Sequence, residues 1–349
     1  GTVGTVTVEN DRADHLLVSN DPTFAPGATT EIALSGGSAT VDFTDGQYFT
    51  FGANVTAPGG VTGNLTAWYK AGQGAETGGS TASDGTSVDA WRDQSLNNND
   101  ALQGTASLRP EWVADNGKFN FNPSVTFVPD ARLQAQFPTS VWDNPDGTIY
   151  VIYNQETVKT GWRNLVDFGL TSTDSNNPQV GMSDNDRIAT WMDGFDRDNT
   201  PFQPQVDETR LIGYDWQYDV GGHSYHYDGE SFTGSNTHKI GTPGIDIGNF
   251  VNIGGDPQLG EYFPGQIAEI AIYSEQHDAT ERAQVQSYFA LKYGTTLNSD
   301  PTNSTANFDY VDSSNATIWA GNGANSAYHN DVAGIGRDDA AALEQQKSK

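Results

Sequence analysis

The sequence has no cysteine and few basic residues, and both features exclude classes of protein. Without cysteine there are no disulfides, thiolate metal sites or cysteine nucleophiles. The 17 Lys and Arg are outnumbered by 45 Asp and Glu, which gives a formal net charge of −28. Nucleic acids and anionic lipids are bound through basic side chains, so this charge argues against both as partners. No run approaches the roughly 18 apolar residues of a membrane-spanning helix, and membrane insertion is not expected.

Short β-rich runs separated by turn residues make up most of the chain. Apolar residues account for 35% of the sequence and aromatic residues for 11%, and there are 39 glycines. Runs such as Leu65–Lys70, Ser124–Phe127, Thr209–Trp216 and Gln266–Tyr273 alternate with segments rich in Gly, Asn and Asp. Many short strands with turns between them predict an all-β chain that folds as a sandwich or jelly roll.

One helix is predicted at Ala279–Tyr293. Asp278 is suited to cap its first turn, and Glu281, three positions later, completes a capping box. Apolar side chains recur at helical spacing, and Gly294 ends the helix.

The chain divides into three segments by composition. Residues 1–60 contain short β-rich runs and end in a Pro-Gly-Gly turn, residues 61–298 hold most of the strands and the helix, and residues 299–349 are polar and turn-rich. The two flanking segments either pack together as one split β-domain interrupted by the middle module, or form two independent arms.

The acidic residues are biased toward aspartate, since only 12 of the 45 are Glu and the other 33 are Asp. Short carboxylates in loops rich in Gly and Asn are typical ligands of Ca²⁺. The alternative is a soluble, salt-tolerant surface.

Several segments together resemble a known family. Trp91–Ala101 is similar to the W-x-D-x-S-G-N-G-N-D-A signature of laminin-G-like, concanavalin A-like jelly rolls in bacterial surface proteins. Phe263–Tyr273 resembles the last long strand of that family, F-x-G-x-I-A-E-I-x-I-Y. Thr280–Gly294 resembles the helix that closes such modules in very large adhesins, and Tyr328–Asp339 a segment that follows them. The resemblance covers roughly residues 65–339.

The resemblance implies an antiparallel two-sheet jelly roll with one C-terminal helix and short β-rich flanks. It also implies a monomeric module of a longer, calcium-dependent RTX-type adhesin at the bacterial cell surface, which binds a peptide or glycan on another cell. Leu96 and Asn98 replace two glycines of the signature. If those glycines have positive φ, Asn98 is tolerated there and Leu96 is strained.

The first candidate metal site lies in the signature loop. Asp93, Asn97, Asn99 and Asp100 offer oxygen ligands at loop spacing, and the resemblance adds Glu269 from the last strand. The alternative is that Asp93 and Asn97 brace the loop through hydrogen bonds to its backbone.

The second candidate is the segment 184–199, which is rich in aspartate. Asp193, Asp196 and Asp198 around Gly194 are candidate Ca²⁺ ligands, and an exposed ion would take carboxylate or hydroxyl groups of a ligand. The alternative is a solvated acidic loop with Trp191 in the core. The predicted ligand-binding residues are Asp184, Asp186, Trp191, Asp193, Asp196 and Trp216.

Motifs of hydrolases are absent from the sequence. There is no Gly-x-Ser-x-Gly, His-Glu-x-x-His or P-loop, and no Glu-x-Asp-x-(x)-Glu pattern of jelly-roll glycosidases. We therefore predict that the chain is not an enzyme and is a calcium-dependent ligand-binding module. The alternatives are a structural spacer of the adhesin and a polysaccharide-acting enzyme.

Overall fold

The structure is a computed structural model, and its chain forms two compact units, residues 1–55 and 56–349. The residues described are 2–9, 15–25, 28–52, 56–114, 117–142, 146–157, 161–169, 179–184, 187–192, 195–203, 205–220, 223–234, 240, 247–256, 260–297, 308–329, 332, 334 and 336–348.

The first unit consists of short antiparallel strands. A two-stranded sheet pairs β1 with β4, and a three-stranded sheet has the order β3-β2-β5. Leu16, Val18 and Phe43 form its buried core. The strands are β1 (Thr2–Glu9), β2 (His15–Ser19), β3 (Thr29–Ala33), β4 (Ser38–Thr44) and β5 (Tyr48–Gly52).

The second unit is an all-β sandwich with one α-helix near its C-terminal end. Its strands up to the helix are β6 (Leu65–Lys70), β7 (Ala75–Thr77), β8 (Ser80–Thr81), β9 (Ala90–Trp91), β10 (Ala101–Leu102), β11 (Glu111–Val113), β12 (Ser124–Phe127), β13 (Leu133–Gln136), β14 (Gly147–Gln155), β15 (Arg163–Gly169), β16 (Gln179–Met182), β17 (Ile188–Met192), β18 (Phe195–Asn199), β19 (Thr209–Trp216), β20 (Ser224–Tyr227), β21 (Glu230–Thr233), β22 (Phe250–Ile253), β23 (Gly255–Asp256), β24 (Glu261–Tyr262) and β25 (Gly265–Tyr273).

The helix α1 (Ala279–Tyr293) is followed by the strands β26 (Tyr310–Val311), β27 (Thr317–Trp319), β28 (Gly336–Asp338) and β29 (Leu343–Gln345). Short 3₁₀ helices lie at Pro58–Gly60, Ala106–Leu108, Gly117–Phe119, Thr139–Trp142 and Gly323–Tyr328.

Two sheets form the sandwich. Sheet 1 has the order β11-β12-β25-β14-β19-β20-β21, with β6 also paired to β25. Sheet 2 has the order β18-β17-β16-β15-β22-β13-β10-β9-β7-β8, and the hairpin β23-β24 pairs with β15. Apolar side chains from both sheets form one buried core, among them Ile149 and Val151 of sheet 1 and Phe168 and Val251 of sheet 2.

Helix α1 covers the other face of sheet 1. Val285 and Phe289 pack with Tyr150 and Ile152 of β14 in a second buried cluster. The predicted helix ends are confirmed: Asp278 accepts hydrogen bonds from the backbone of Thr280 and Glu281 in a capping box, and Gly294 closes the helix at φ 69°. The helix therefore forms where local signals predict it, and the sandwich supplies the apolar surface that it covers.

The C-terminal segment also packs on α1. The Val311 amide donates to Ser287 Oγ at 2.9 Å, and Gln345 Nε2 donates to the Asn120 carbonyl at 2.9 Å. The described residues after the helix thus belong to the same unit as the sandwich. The predicted grouping of residues 1–60 with 299–349 in one split domain stays a prediction.

Candidate functional site

A row of polar residues crosses the face of sheet 2 that points away from the core. Leu133, Ala135, Val166, Phe168, Val251 and Ile253 are all core residues. Because strand side chains alternate between faces, Gln134, Asp167 and Asn252 point to the opposite face. Gln134 stands opposite Asn252, Asn252 opposite Asp167, and Asp167 opposite Gln179. We call Gln134, Asn252, Asp167 and Gln179 the polar row.

Hydrogen bonds connect Gln134, Asn252 and Asp167 of the polar row. Gln134 Nε2 donates to Asn252 Oδ1 at 2.6 Å, and Asn252 Nδ2 donates to Asp167 Oδ2 at 2.9 Å. Asn252, Asp167 and Gln179 are buried, whereas Gln134 is partly exposed. Amide and carboxylate groups are thereby fixed at neighbouring positions on rigid strands, with an accessible end at Gln134.

The hairpin β23-β24 adds two carboxylates to this region. Gln179 Nε2 donates to Asp256 Oδ2 at 2.9 Å, and Asn164 Nδ2 donates to Glu261 Oε2 at 3.1 Å. Asn164 is fully buried, and its Oδ1 has no hydrogen-bond partner among the described residues. Asn164 is thus attached to the hairpin β23-β24 through its Nδ2.

The predicted segment 184–199 lies next to the polar row. Trp191 stands opposite Gln179 in the register of β17 and β16, and β18 is the outer neighbour of β17. Asp184 is exposed. Asp186 and Asp193 lie outside the described residues, as do the side chains of Trp191, Asp196 and Asp198.

Trp216 corrects the sequence prediction. Its indole is fully buried between the two sheets, stacked on Tyr214 at 5.3 Å and in contact with Trp142 and Phe168. Trp216 lies on the same face of β19 as Ile212 and Tyr214, and all three point into the core. Its side chain therefore has no surface available to a ligand. The predicted ligand-binding role of Trp216 is wrong.

The signature loop is held together by hydrogen bonds to Asp93. Asp93 Oδ1 accepts from the amides of Trp68 and Ser95, each at 2.8 Å, and Oδ2 accepts from Ser95 Oγ at 2.8 Å and the Asn99 amide at 3.0 Å. Burial raises the pKa of Asp93 and outweighs these hydrogen bonds, which lower it. Four donors occupy both oxygens of the carboxylate, so this arrangement does not fit a cation bound by Asp93.

The other predicted ligands in the loop also make hydrogen bonds, Asp100 through its carboxylate oxygens and Asn97 and Asn99 through their amide nitrogens. Asp100 Oδ1 accepts from the Asp93 amide at 2.9 Å, and Asp100 Oδ2 pairs with Arg92 at 2.8 Å. Asn97 Nδ2 donates to the Leu65 carbonyl at 2.7 Å, and Asn99 Nδ2 donates to the Thr66 carbonyl at 2.9 Å. These contacts attach the loop to the start of β6.

The backbone of this loop has the strain that the sequence predicts. Leu96 has φ 71° and Asn98 has φ 57°. Asparagine tolerates this left-handed region, but leucine does not favour it. Leu96 therefore occupies a position suited to glycine.

Glu269 lies in a different cluster, under helix α1. Its Oε1 accepts from Trp68 Nε1 at 2.6 Å and Tyr288 OH at 2.8 Å, and its Oε2 from Lys292 Nζ and Tyr293 OH, both at 2.5 Å. We call this set the Glu269 cluster. It leaves Glu269 occupied by donors rather than directed at Asp93, and the predicted joint site is not assembled.

Charge explains the ionisation of the Glu269 cluster. Burial alone would raise the pKa of Glu269, but the charges of Lys292 and Lys70, together with the hydrogen bonds from Lys292 and Tyr293, lower it. Burial and the charge of Lys292 lower the pKa of Lys70 to about 8, against the opposing effect of Glu269. Glu269 is thus a buried anion that fastens α1 to sheet 1.

Within the described part of the chain, no three His, Asp or Glu side chains form a group that could hold a metal ion. Within the same residues, no helix is long and apolar enough to cross a membrane.

Sequence reasoning missed the polar row because its members come from four strands. Each of three members nevertheless stands between two core residues, as in Leu133-Gln134-Ala135, Val166-Asp167-Phe168 and Val251-Asn252-Ile253. A polar residue flanked by apolar ones in a strand was the available signal. Its alignment with the others depends on strand register, which no local pattern supplies.

Comparison with known proteins gives limited matches. Residues 281–349 match a domain of unknown function, DUF8202. A search of curated proteins gave no match.

The fold is similar to several solved structures. A Trypanosoma rangeli sialidase bound to the inhibitor DANA is 14% identical with a TM-score of 0.46; the match covers 68% of this chain and 34% of the sialidase. Domain 4 of the arabinanase AbnA from Geobacillus stearothermophilus, in complex with arabinotriose, is 14% identical with a TM-score of 0.43, covering 64% of this chain and 98% of that one. The binding domain of Paraclostridial Mosquitocidal Protein 1 is 13% identical with a TM-score of 0.45. The match covers 67% of this chain and 53% of that domain.

These comparisons correct one prediction. The chain spans about a third of the length of the sialidases that it matches. Because these enzymes are among the similar structures, the prediction that the chain is not an enzyme is contradicted, and we withdraw it. Identities of this size and TM-scores below 0.5 identify no particular reaction.

Proposed function

We propose that the second unit is a carbohydrate-binding β-sandwich and that the polar row of sheet 2 is part of its glycan-binding site. The observation that carries the proposal is the polar row itself, in which two amides and a carboxylate from adjacent strands are joined by hydrogen bonds. Sugar hydroxyls both donate and accept hydrogen bonds, and such side chains do the same.

The extent of the row suits an oligosaccharide. Neighbouring strands lie about 4.8 Å apart, so the four members of the polar row span about 14 Å. Leu102 stands opposite Gln134 and is exposed, and Trp191 stands opposite Gln179 at the other end. An exposed apolar side chain beside a polar one matches the two kinds of surface on a sugar ring.

The cellular setting belongs to the same proposal. The resemblance of residues 65–339 to laminin-G-like modules favours a place on the bacterial cell surface, within an adhesin that binds a partner cell. A peptide ligand on that cell is the alternative to a glycan.

Calcium dependence stays a prediction. The hydrogen-bonded loop around Asp93 does not favour it, and the second set of candidate ligands, Asp193, Asp196 and Asp198, lies outside the described side chains. Melting curves in EDTA, and again after Ca²⁺ is added back, test it. A melting temperature that EDTA leaves unchanged would contradict it.

A glycan array tests the proposal. We expect the chain to bind one class of oligosaccharide, and we expect Gln134→Ala to weaken that binding, because Gln134 is the accessible member of the row. The matched control is Gln217→Ala, an exposed glutamine just after β19 in sheet 1. Binding of peptides but not glycans would favour the alternative ligand, and binding of neither would favour the structural spacer.

The glycans that bind on the array also serve to test for hydrolysis. Each one is incubated in solution with the chain, and new reducing ends are then measured. Cleavage would favour a polysaccharide-acting enzyme.

A further inference from the structure

A serine, a histidine and an aspartate form a hydrogen-bonded relay at the far edge of sheet 1. Ser231 Oγ lies 2.8 Å from His226 Nδ1, and His226 Nε2 lies 2.9 Å from Asp215 Oδ2. Ser231 is exposed, whereas His226 and Asp215 are buried, with 3% and 1% of their side chains exposed. The relay therefore runs from the interior to a hydroxyl at the surface.

Strand register positions the relay. Gly213 of β19 stands opposite His226 of β20, and His226 opposite Ser231 of β21. A Cβ on Gly213 would lie 3.2 Å from His226 Cβ and from the ring of Tyr150, so glycine makes room for the imidazole. The two-residue turn at Asp228-Gly229 fixes which residues of β20 and β21 meet.

Charged groups from α1 complete the surroundings of His226. Arg282 Nη1 lies 2.6 Å from Asp215 Oδ2 and forms an ion pair with it. His277, just before the helix, also faces this region; burial lowers its pKa to about 4, so it is uncharged at neutral pH. Among the described residues, the groups around His226 thus include one carboxylate, one cation, one neutral imidazole and the hydroxyl of Tyr150, which contacts His277 Nδ1.

The hydrogen bonds define the roles of the two imidazole nitrogens. A carboxylate oxygen accepts hydrogen bonds, so the contact with Asp215 Oδ2 favours the tautomer with the proton on His226 Nε2. Nδ1 then carries the lone pair and accepts from the Ser231 hydroxyl. Ser231 is thus placed as a nucleophile, His226 as its base and Asp215 as the group that orients the base. The two imidazole nitrogens have the opposite roles to those in serine proteases.

The backbone of Ser231 offers a donor next to its hydroxyl. The Gly234 amide donates to the His223 carbonyl at 2.7 Å. These two residues stand next to the opposed pair Ser224 and Thr233, so they form a hydrogen-bonded pair of the ladder between β20 and β21. Because bonded and non-bonded pairs alternate in an antiparallel ladder, His226 and Ser231 are a non-bonded pair, and the Ser231 amide points away from β20. Among the described strands, β21 pairs only with β20. The Ser231 amide is thus placed to donate to an oxyanion.

We propose that Ser231, His226 and Asp215 form an acyl-transfer site that hydrolyses small carboxylic esters. Ser231 Oγ attacks the ester carbonyl while its proton passes to His226 Nδ1. That proton then passes to the departing alkoxide as the ester C–O bond breaks, which leaves an acyl-serine and an alcohol. Water then attacks the acyl carbonyl while its proton passes to the same nitrogen, the bond between the acyl carbon and Ser231 Oγ breaks, and that proton returns to Oγ as the carboxylic acid leaves. The site is separate from the polar row, so it stands or falls independently of glycan binding.

Hydrolysis of p-nitrophenyl acetate by the full chain tests the proposal. We expect turnover above that of buffer, and a loss of at least about 100-fold in Ser231→Ala, because this variant removes the nucleophile and with it the attack that the base assists by roughly 10²–10⁴-fold. The matched control is Ser224→Ala, a serine in the neighbouring strand that takes no part in the relay, which should retain activity. Because Ser231 is exposed, its variant is expected to fold.

A fluorophosphonate probe gives a second readout. The probe should label the chain once, and mass spectrometry should locate the label on Ser231. Asp215→Asn, checked for folding by circular dichroism, should lower kcat while leaving KM unchanged, because Asp215 is a positioning residue that acts through His226. Ester turnover that survives in Ser231→Ala, or an absence of both turnover and labelling, would overturn the proposal.

Discussion

The Glu269 cluster gives the sharpest prediction about stability. In Glu269→Gln, Lys292 loses its anion and keeps only 13% of its side chain exposed, while Trp68 and the two tyrosines compete for a single carbonyl oxygen. About two hydrogen bonds to a charged acceptor are lost, and each contributes roughly 1.5–3 kcal/mol. Removing one partner of a buried ion pair costs about 3–5 kcal/mol, which agrees with that sum.

Urea unfolding of the full chain, followed by circular dichroism, measures this loss. We expect the free energy of unfolding to fall by about 3–5 kcal/mol with little change in the dependence on urea. The matched control is Glu111→Gln in β11, which is exposed and should change stability by less than about 0.5 kcal/mol.

A double variant separates the ion pair from the packing. Glu269→Gln combined with Lys292→Met removes the unpaired cation, so part of the lost stability should return. If Glu269→Gln is no less stable than the Glu111→Gln control, the account of Glu269 as the buried anion that fastens α1 is refuted.

Three further predictions concern stability. Leu96→Gly should stabilise the chain by about 0.5–1 kcal/mol in thermal unfolding, because it relieves a left-handed φ at an exposed side chain; destabilisation would contradict this. Gly59→Ala should destabilise by about 3 kcal/mol, since Gly59 has φ 66° and its Cβ would lie 2.4 Å from the Gln284 carbonyl carbon; wild-type melting would count against it. Burial lowers the pKa of His223 and His277 to about 4, so the unfolded chain binds more protons between pH 6.5 and 4, and stability should fall as the pH falls through that range; His277→Gln should flatten the slope, and an unchanged slope would argue against it.

The helix and many strands were predictable because their signals are local. Asp278, Glu281 and Gly294 mark the helix ends within one short segment, and the strand Thr209–Trp216 matches its prediction. Positive φ at Leu96 was predictable from the glycine that stands there in the resembling signature.

The sites were harder to predict because they depend on distant partners. Glu269 has the residue type of a metal ligand, and only the position of α1 brings Lys292 and two tyrosines to it. Trp216 has the residue type of a sugar-stacking platform, yet its place in the alternation of β19 directs it into the core. The polar row and the Ser231 relay both exist only once strand register is known.

The measurement that tests the central claim most directly is the affinity of wild-type, Gln134→Ala and Gln217→Ala chains for the oligosaccharide class selected on the array. We predict that Gln134→Ala weakens binding about tenfold, equivalent to roughly 1.4 kcal/mol or one hydrogen bond, and that Gln217→Ala binds as wild type does. Equal affinity of all three chains, or no glycan bound by any of them, would contradict the claim that the polar row of sheet 2 binds carbohydrate.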